Sequence, residues 1–512
     1  MDASLKILPN FKKYNAYIDD VKNNVNPIML SGLTDSGKVH FSYSTSFYTE
    51  KPIVFITYNE IQAKKVMKDM KYFCEDALLF PKREIFTYDY VAESKDTFYE
   101  RMNVLNLISA GKAKVIVTTV EALMQKMPAH EILYKNQIVV KQGEILDIER
   151  LKEKLVLLGY ERYDLVESGG QFSIRGGIID IATSSKKGIR IELWGDEIDS
   201  IRYFNLSSQR STEMINQVEI NPVCEFVLEK PLDEIIKQID DEEDILAIKE
   251  GDYTTRVDKY FNTFYSKQES FLDYIPENFL VFVDEASKIK ARAENILKDG
   301  EAVIKNLIEK GKPVPDSLKL MLDYLEIADK IQRRHTIYLE KQDIGFIDKQ
   351  TMHAKRNGYS FSYREVNFFR SSMDLLFEEL QKAVIAEKTI ILLGGSLDNC
   401  KKLIDTLAQR EIAHSFVDKT NMEITPGVVY VTQGVISAGF EAFDFNLLVI
   451  SGEELFTPPK KRKPVVSAFK QGETVVFADL KPRRLCGSQK QWYWTIFRRK
   501  YNFSRWNSKR LY

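Results

Sequence analysis

Cysteine is sparse in these 512 residues, and the four present (Cys74, Cys224, Cys400 and Cys486) stand far apart, never at paired spacing. That excludes a dense disulfide framework and a CxxC-type structural zinc site, and it predicts a chain suited to a reducing cytosol. The five histidines, His40, His130, His335, His353 and His414, are equally scattered. None falls at metal-ligand spacing or beside a plausible nucleophile. No apolar run approaches the roughly 18 residues of a membrane-spanning helix, and the start at Met1 lacks the basic-then-apolar pattern of a secretory signal. A soluble, cytoplasmic protein with no membrane contact and no metal is the expectation.

The last stretch of the chain lacks acidic residues altogether. Residues 482–512 hold nine Lys or Arg and no Asp or Glu, against a whole-chain net charge of −1. The remainder carries 64 basic and 74 acidic side chains, a balance of about −10. A body that acidic is a poor general ligand for a phosphate backbone, so protein partners are the first expectation.

What is present is an ordinary globular composition, 44% hydrophobic and 29% charged, on a chain long enough for three or four packed units. Residues 1–128 alternate strand and helix signals. The β-rich runs Pro52–Tyr58 and Lys114–Thr119 flank a helix-like Glu60–Phe73, which predicts an α/β layer on a parallel sheet. Over 129–223 the pattern changes to short alternating runs between Gly and Ser clusters, such as Gln171–Ile181 and Ile189–Trp194, which predicts an inserted α+β domain of hairpins. The first module resumes over 224–345, around a strand at Phe279–Val283. A small α/β unit over 346–456 follows, with strands at Thr389–Leu393, Val428–Thr432 and Leu447–Ile450 and a helix at Ser396–Arg410. Thr457–Pro464 opens a basic, proline-rich linker over 457–481.

Gly32-Leu33-Thr34-Asp35-Ser36-Gly37-Lys38-Val39 has the frame of a phosphate-binding loop. In such loops Gly32 and Gly37 would let backbone N–H groups converge on phosphate, and Lys38 would neutralise the outer phosphates. The magnesium-ligating Ser or Thr is replaced by Val39, which offers no oxygen, and Asp35 inside the loop would repel phosphate. Asp284 and Glu285 end a predicted strand as a Walker B pair would, although acids at strand ends are also common helix caps. These positions are read as a degenerate nucleotide site without hydrolysis, architectural in role, and no catalytic constellation is found. Tyr88-Asp89-Tyr90 could stack on bases, but core or surface packing is the ordinary reading of such aromatics.

The most specific stretch is Phe172–Ile181, with Arg175-Gly176-Gly177-Ile178-Ile179-Asp180-Ile181, followed by Arg190–Arg202, which contains Glu192-Leu193-Trp194-Gly195-Asp196-Glu197. It resembles the UvrA-interaction domain shared by UvrB and the transcription-repair coupling factors. Phe80-Pro81, Glu100-Arg101, Val115–Leu123, Val435–Phe440 and Glu453–Phe456 extend the resemblance to the coupling factors as far as about Lys481. UvrB is a poorer match, since it keeps an intact loop and a Tyr-rich DNA hairpin. The resemblance implies a degenerate RecA-like module carrying the inserted domain and followed by the small α/β domain. It implies UvrA binding through Arg175, Arg190 and Trp194. By composition alone the favoured reading is that the two arginines decorate a sheet face while Trp194 packs inside, and the resemblance reverses that preference. RNA polymerase, double-stranded DNA, ATP and magnesium are partners and cofactors of the family's full-length motor, and none is expected to be bound by a motor within this chain. The alternative class is a UvrB-like ATP-dependent helicase.

Trp492, Trp494 and Trp506 crowd the last 21 residues without periodicity, where the resemblance calls for the start of a polymerase-interacting domain. If Arg483–Ser488 is encoded AGG-AGA-CTA-TGT-GGT-TCA, the frame from the second base reads Gly-Asp-Tyr-Val-Val, the family's sequence at this point. The expectation is a one-base frameshift near Pro482, a disordered out-of-frame tail over 482–512, and truncation before the motor.

Overall fold

The computed structural model describes residues 3–83, 95–135, 137–183, 187–225, 227, 232–239, 241–249, 257–311, 321–342, 357–366, 373–417 and 424–452, together with 485–487 and 493–495. The first sheet is parallel throughout. Its seven strands run in the order Asn357–Ser360, Ile28–Ser31, His335–Glu340, Leu280–Asp284, Ile53–Thr57, Val115–Thr119, Leu78–Phe80. Runs of Val and Ile without polar alternation suit a sheet covered on both faces. Along Ile53–Thr57, Ile53 and Phe55 join one apolar cluster with Tyr17, Phe41 and Met70. Val54 and Ile56 join another with Leu105, Leu123 and Phe271. Two of the covering helices start on side-chain caps, where Thr34 accepts from the Gly37 N–H and Asn59 from the Gln62 N–H.

The second sheet leaves the first chain path after Lys135 and is mostly antiparallel. Its six strands run Ser211–Ile215, Glu197–Asn205, Lys187–Trp194, Ile178–Ala182, Gln171–Arg175, Glu161–Arg162. Alternation sends Ile179, Ile181, Ile189 and Ile191 to one face, where Leu151 and Leu155 of the helix Ile148–Leu157 cover them. The ladder between Ile138–Lys141 and Gln217–Ile220 sets the entry and exit of the insert side by side.

The third sheet has the order Tyr363–Val366, Gly439–Ala442, Leu447–Ser451, Thr389–Leu393, Val429–Thr432, His414–Phe416, antiparallel at its first two pairings and parallel after them. The helix Leu397–Gln409 is capped by Ser396. One face of this sheet shares the core of the first: Ile391, Leu393, Phe440 and Phe445 cluster with Phe41 and Phe361. The strand Asn357–Ser360 belongs to the first sheet, beyond the residue 346 at which the sequence suggested the small unit begins. Four residues are too few for their pattern to tell which sheet they join.

In the stretch read as aperiodic, Leu485–Gly487 and Tyr493–Thr495 form a two-stranded antiparallel ladder that belongs to a separate unit. Three residues per strand cannot display alternation. The rest of 482–512, the linker 457–481, Glu453–Phe456 and Tyr88-Asp89-Tyr90 lie outside the described residues. No described helix is long and apolar enough to cross a membrane.

Candidate functional site

The face of the second sheet opposite its helix is built from the alternate residues. Across neighbouring strands Ser173 stands opposite Asp180, Asp180 opposite Arg190, Arg190 opposite Arg202, and Arg202 opposite Met214. A second row holds Arg175, Ile178, Glu192 and Ser200. A buried carboxylate anchors the first row. Asp180 Oδ1 accepts from Arg190 Nε at 2.7 Å, and Oδ2 accepts from Arg190 Nη2 at 2.9 Å and from Arg175 Nη2 at 3.1 Å. The Arg190 guanidinium also lies 4.8 Å over the Phe204 ring centroid. Hydrogen bonding to Asp180 raises the Arg190 pKa further, against the opposing effect of burial. Arg202 of the first row pairs with Glu192 and Ser200 of the second.

All three residues singled out for partner binding therefore belong to one face, and they differ in availability. The Arg190 side chain is 18% exposed and that of Arg175 50%. Trp194, at the hairpin end closed by Gly195 and Asp196, is 84% exposed, with Ile178 and Met214 the other exposed apolar residues of the face. The alternative of an inward-packed Trp194 is thereby excluded. Asp180, read only as part of a motif, is the residue that sequence reasoning left without a role. Its signal was a carboxylate flanked by isoleucines in a strand whose neighbours carry arginines.

At the phosphate-loop frame the strand Ile28–Ser31 runs into the helix Asp35–Thr49, as a phosphate loop should. The loop is filled by the chain itself. Lys38, 1% exposed, donates to Asp284 Oδ1 at 2.6 Å and Glu285 Oε1 at 2.5 Å. Burial works against its charge, but the two carboxylates outweigh that and raise its pKa. Burial likewise opposes charge on Glu285, and Lys38 nevertheless holds it below its ordinary value. Asp35 pairs with Lys65 and Lys341, each at 2.8 Å, and these two cations overcome its burial to bring it down to about 2. Gly32, at φ +81°, meets the Phe361 carbonyl so closely that an added Cβ would lie 1.9 Å from that oxygen. At Gly37 an added Cβ would lie 2.7 Å from the Tyr363 ring. Backbone bonds from Phe361 N to Ser31 O and from Tyr363 N to Gly32 O seal the contact at 2.9 and 3.1 Å.

One more link crosses the loop. Asp69 accepts from Ser36 Oγ at 2.7 Å and from Ser437 Oγ at 2.7 Å, joining the loop's helix to the third sheet's Ser437 turn. Phe361, Tyr363, Lys341 and Asp69 escaped the sequence reading because they reach the loop only through tertiary contacts. Glu285 begins the helix Ala286–Glu309 without capping it, because its carboxylate is turned to Lys38 and the Lys341 N–H.

Residues 138–226 match the family of the UvrB interaction domain, and that span begins on the strand Ile138–Lys141 of the insert. The sequence is 31% identical over 490 residues to the transcription-repair-coupling factor of Bacillus subtilis (strain 168), covering 89% of this chain and 41% of that protein. It is 26% identical over 490 residues to the transcription-repair-coupling factor of Staphylococcus epidermidis (strain ATCC 12228 / FDA PCI 1200), covering 90% of this chain and 40% of that one. A further relative of the same description, from Staphylococcus aureus (strain NCTC 8325 / PS 47), is 26% identical over 479 residues, covering 87% and 40%. The chain thus spans about two fifths of the length of the curated relatives it matches.

Proposed function

We propose, for a chain whose sequence fits the N-terminal part of a transcription-repair-coupling factor, that the outer face of its inserted sheet recruits UvrA to nucleotide excision repair. The observation that carries this reading is Trp194, 84% exposed at a hairpin end, on the face that also bears the half-exposed Arg175. A folded domain that leaves an indole in water has an anchor for a partner, and Trp and Arg lead among residues that dominate interface energetics. The guanidinium supplies the complementary polar contact, a fork matched to a partner carboxylate. Titration of UvrA with the chain tests it. Trp194→Ala and Arg175→Ala should each weaken binding at least tenfold, about 1.4 kcal/mol. Two unchanged dissociation constants would overturn the assignment.

The first sheet is, on this reading, a RecA-like module whose nucleotide site has become structure. Its residues do not fit a magnesium nucleotide: Val39 offers no oxygen, Lys38 is committed to Asp284 and Glu285, and the Phe361 carbonyl occupies the approach to Gly32. The chain is then a recruiting element with no hydrolysis of its own. RNA-polymerase and double-stranded-DNA contacts fall to other parts of the longer family members. The rival is a UvrB-like ATPase or helicase. A magnesium-dependent ATPase assay on the chain and its Lys38→Ala variant should give background turnover for both, and lysine-dependent turnover would favour the rival.

A further inference from the structure

Two guanidiniums share one carboxylate at the centre of the outer sheet face, and they share it unequally. Asp180 is 1% exposed. Arg190 takes both of its oxygens, at 2.7 and 2.9 Å, and is backed by the Phe204 ring. Arg175 is held by a single longer contact, 3.1 Å to Oδ2, with half of its side chain in solvent. The cluster carries one positive charge in excess, and that charge is available at Arg175. Resting on the reading of this face as the UvrA-binding surface, we infer that Asp180 is its positioning residue. It locks Arg190 into the sheet and, through the shared oxygen, sets Arg175 in the pose offered to a partner carboxylate. Arg190 then serves the interface as a brace rather than as the main contact.

The physical ground is pre-organisation. An unrestrained arginine loses side-chain freedom when it is captured, whereas one already held at its terminal nitrogen has lost much of it beforehand. A partner carboxylate could draw Arg175 from its one long bond, but displacing a bidentate, buried pair from Arg190 would strand Asp180 without its fork.

Asp180→Asn tests this because the two roles open to Asp180 predict opposite signs. The substitution nearly keeps the shape and makes the face more positive. If Asp180 merely masks the arginines from an acidic partner, binding tightens and association quickens. If it positions them, dissociation of the full chain from its cognate UvrA becomes about tenfold faster while the association rate holds or rises. In an Arg175→Ala background the same substitution should then change dissociation less than about twofold, whereas a general loosening of the domain would persist there. Arg190→Lys keeps the charge and removes the fork, and a dissociation about five- to tenfold faster is expected. It decides the matter should Asp180→Asn fail to fold. Unchanged or tighter binding by folded Asp180→Asn, or its full effect in the Arg175→Ala background, would overturn the inference; so would unchanged dissociation of Arg190→Lys. Trp194→Ala run alongside separates the two levels. If neither it nor Arg175→Ala weakens binding, the docking face itself is wrong. If they do and Asp180→Asn does not, only the positioning role falls.

Discussion

At Glu340 one carboxylate oxygen accepts the Ala286 N–H at 3.0 Å, while the other is buried without a hydrogen-bond partner. Burial raises its pKa from an ordinary 4.5 to about 7, with Glu285 nearby adding to the rise and the Ala286 N–H opposing it. Between those two values the folded chain keeps a proton that the unfolded chain has released. Its contribution to stability therefore declines as pH rises from about 4.5 to about 7 and is level outside that window. Glu340→Gln removes the decline, so the variant should gain on the parent by on the order of 2 kcal/mol between pH 5 and pH 8. Urea melts of both chains at the two pH values check it, and equal changes would sink the idea. This proton was not legible beforehand, since Glu340 gains its meaning from Ala286 and Glu285 across the sheet. Trp194 was half legible. Alternation with Ile189 and Ile191 puts it on the outer face with Arg190 and Glu192, whereas the size of an indole argued for burial. Arg175 and Arg190 were read as equals because nothing in the sequence says which of them a buried carboxylate will claim.

Elements were far easier to read than their partners. The helix expected over Glu60–Phe73 occupies those residues, and the strand expected at Thr389–Leu393 likewise, because the sequence punctuates both ends: Asn59 caps the first, and a turn before Thr389 leads into an unbroken apolar run. The phosphate-loop frame was legible as local geometry too, a strand and helix joined by a glycine loop. What fills it was not. In a working loop the glycine at position 32 would admit a phosphate; here its φ of +81° admits the Phe361 carbonyl. The occupant arrives with the edge strand Asn357–Ser360, whose register against Ile28–Ser31 carries Phe361 and Tyr363 past Gly32 and Gly37. Val39, which offers no oxygen where a phosphate loop has Ser or Thr, was legible in the sequence. No local pattern could signal that residues following a strand more than 300 positions away pack on the loop's glycines.

That long-range filling has a consequence for the whole molecule. Phe445 is 1% exposed and belongs to the third sheet's Phe443–Phe445 turn, yet its ring touches Phe11, Tyr14 and Phe41 of the first module as well as Phe361 and Tyr363. It completes a core that includes Ile28 and Leu30 on one sheet and Leu447 and Val449 on the other. The sequence divides into three or four packed units, and the apolar core shared by two of them is expected to make their local opening cooperative. Phe445→Ala should lower stability by about 3–5 kcal/mol, the range for emptying a buried phenyl site. Amide-exchange protection should fall together in the strands Ile28–Ser31 and Leu447–Ser451. The inserted sheet has its own core of Ile179, Ile181, Ile189 and Ile191, so its protection should fall much less. If Phe445→Ala loosened only the third sheet and left Ile28–Ser31 fully protected, the shared core would be a contact without coupling, and the filled phosphate loop would not tie the two sheets together.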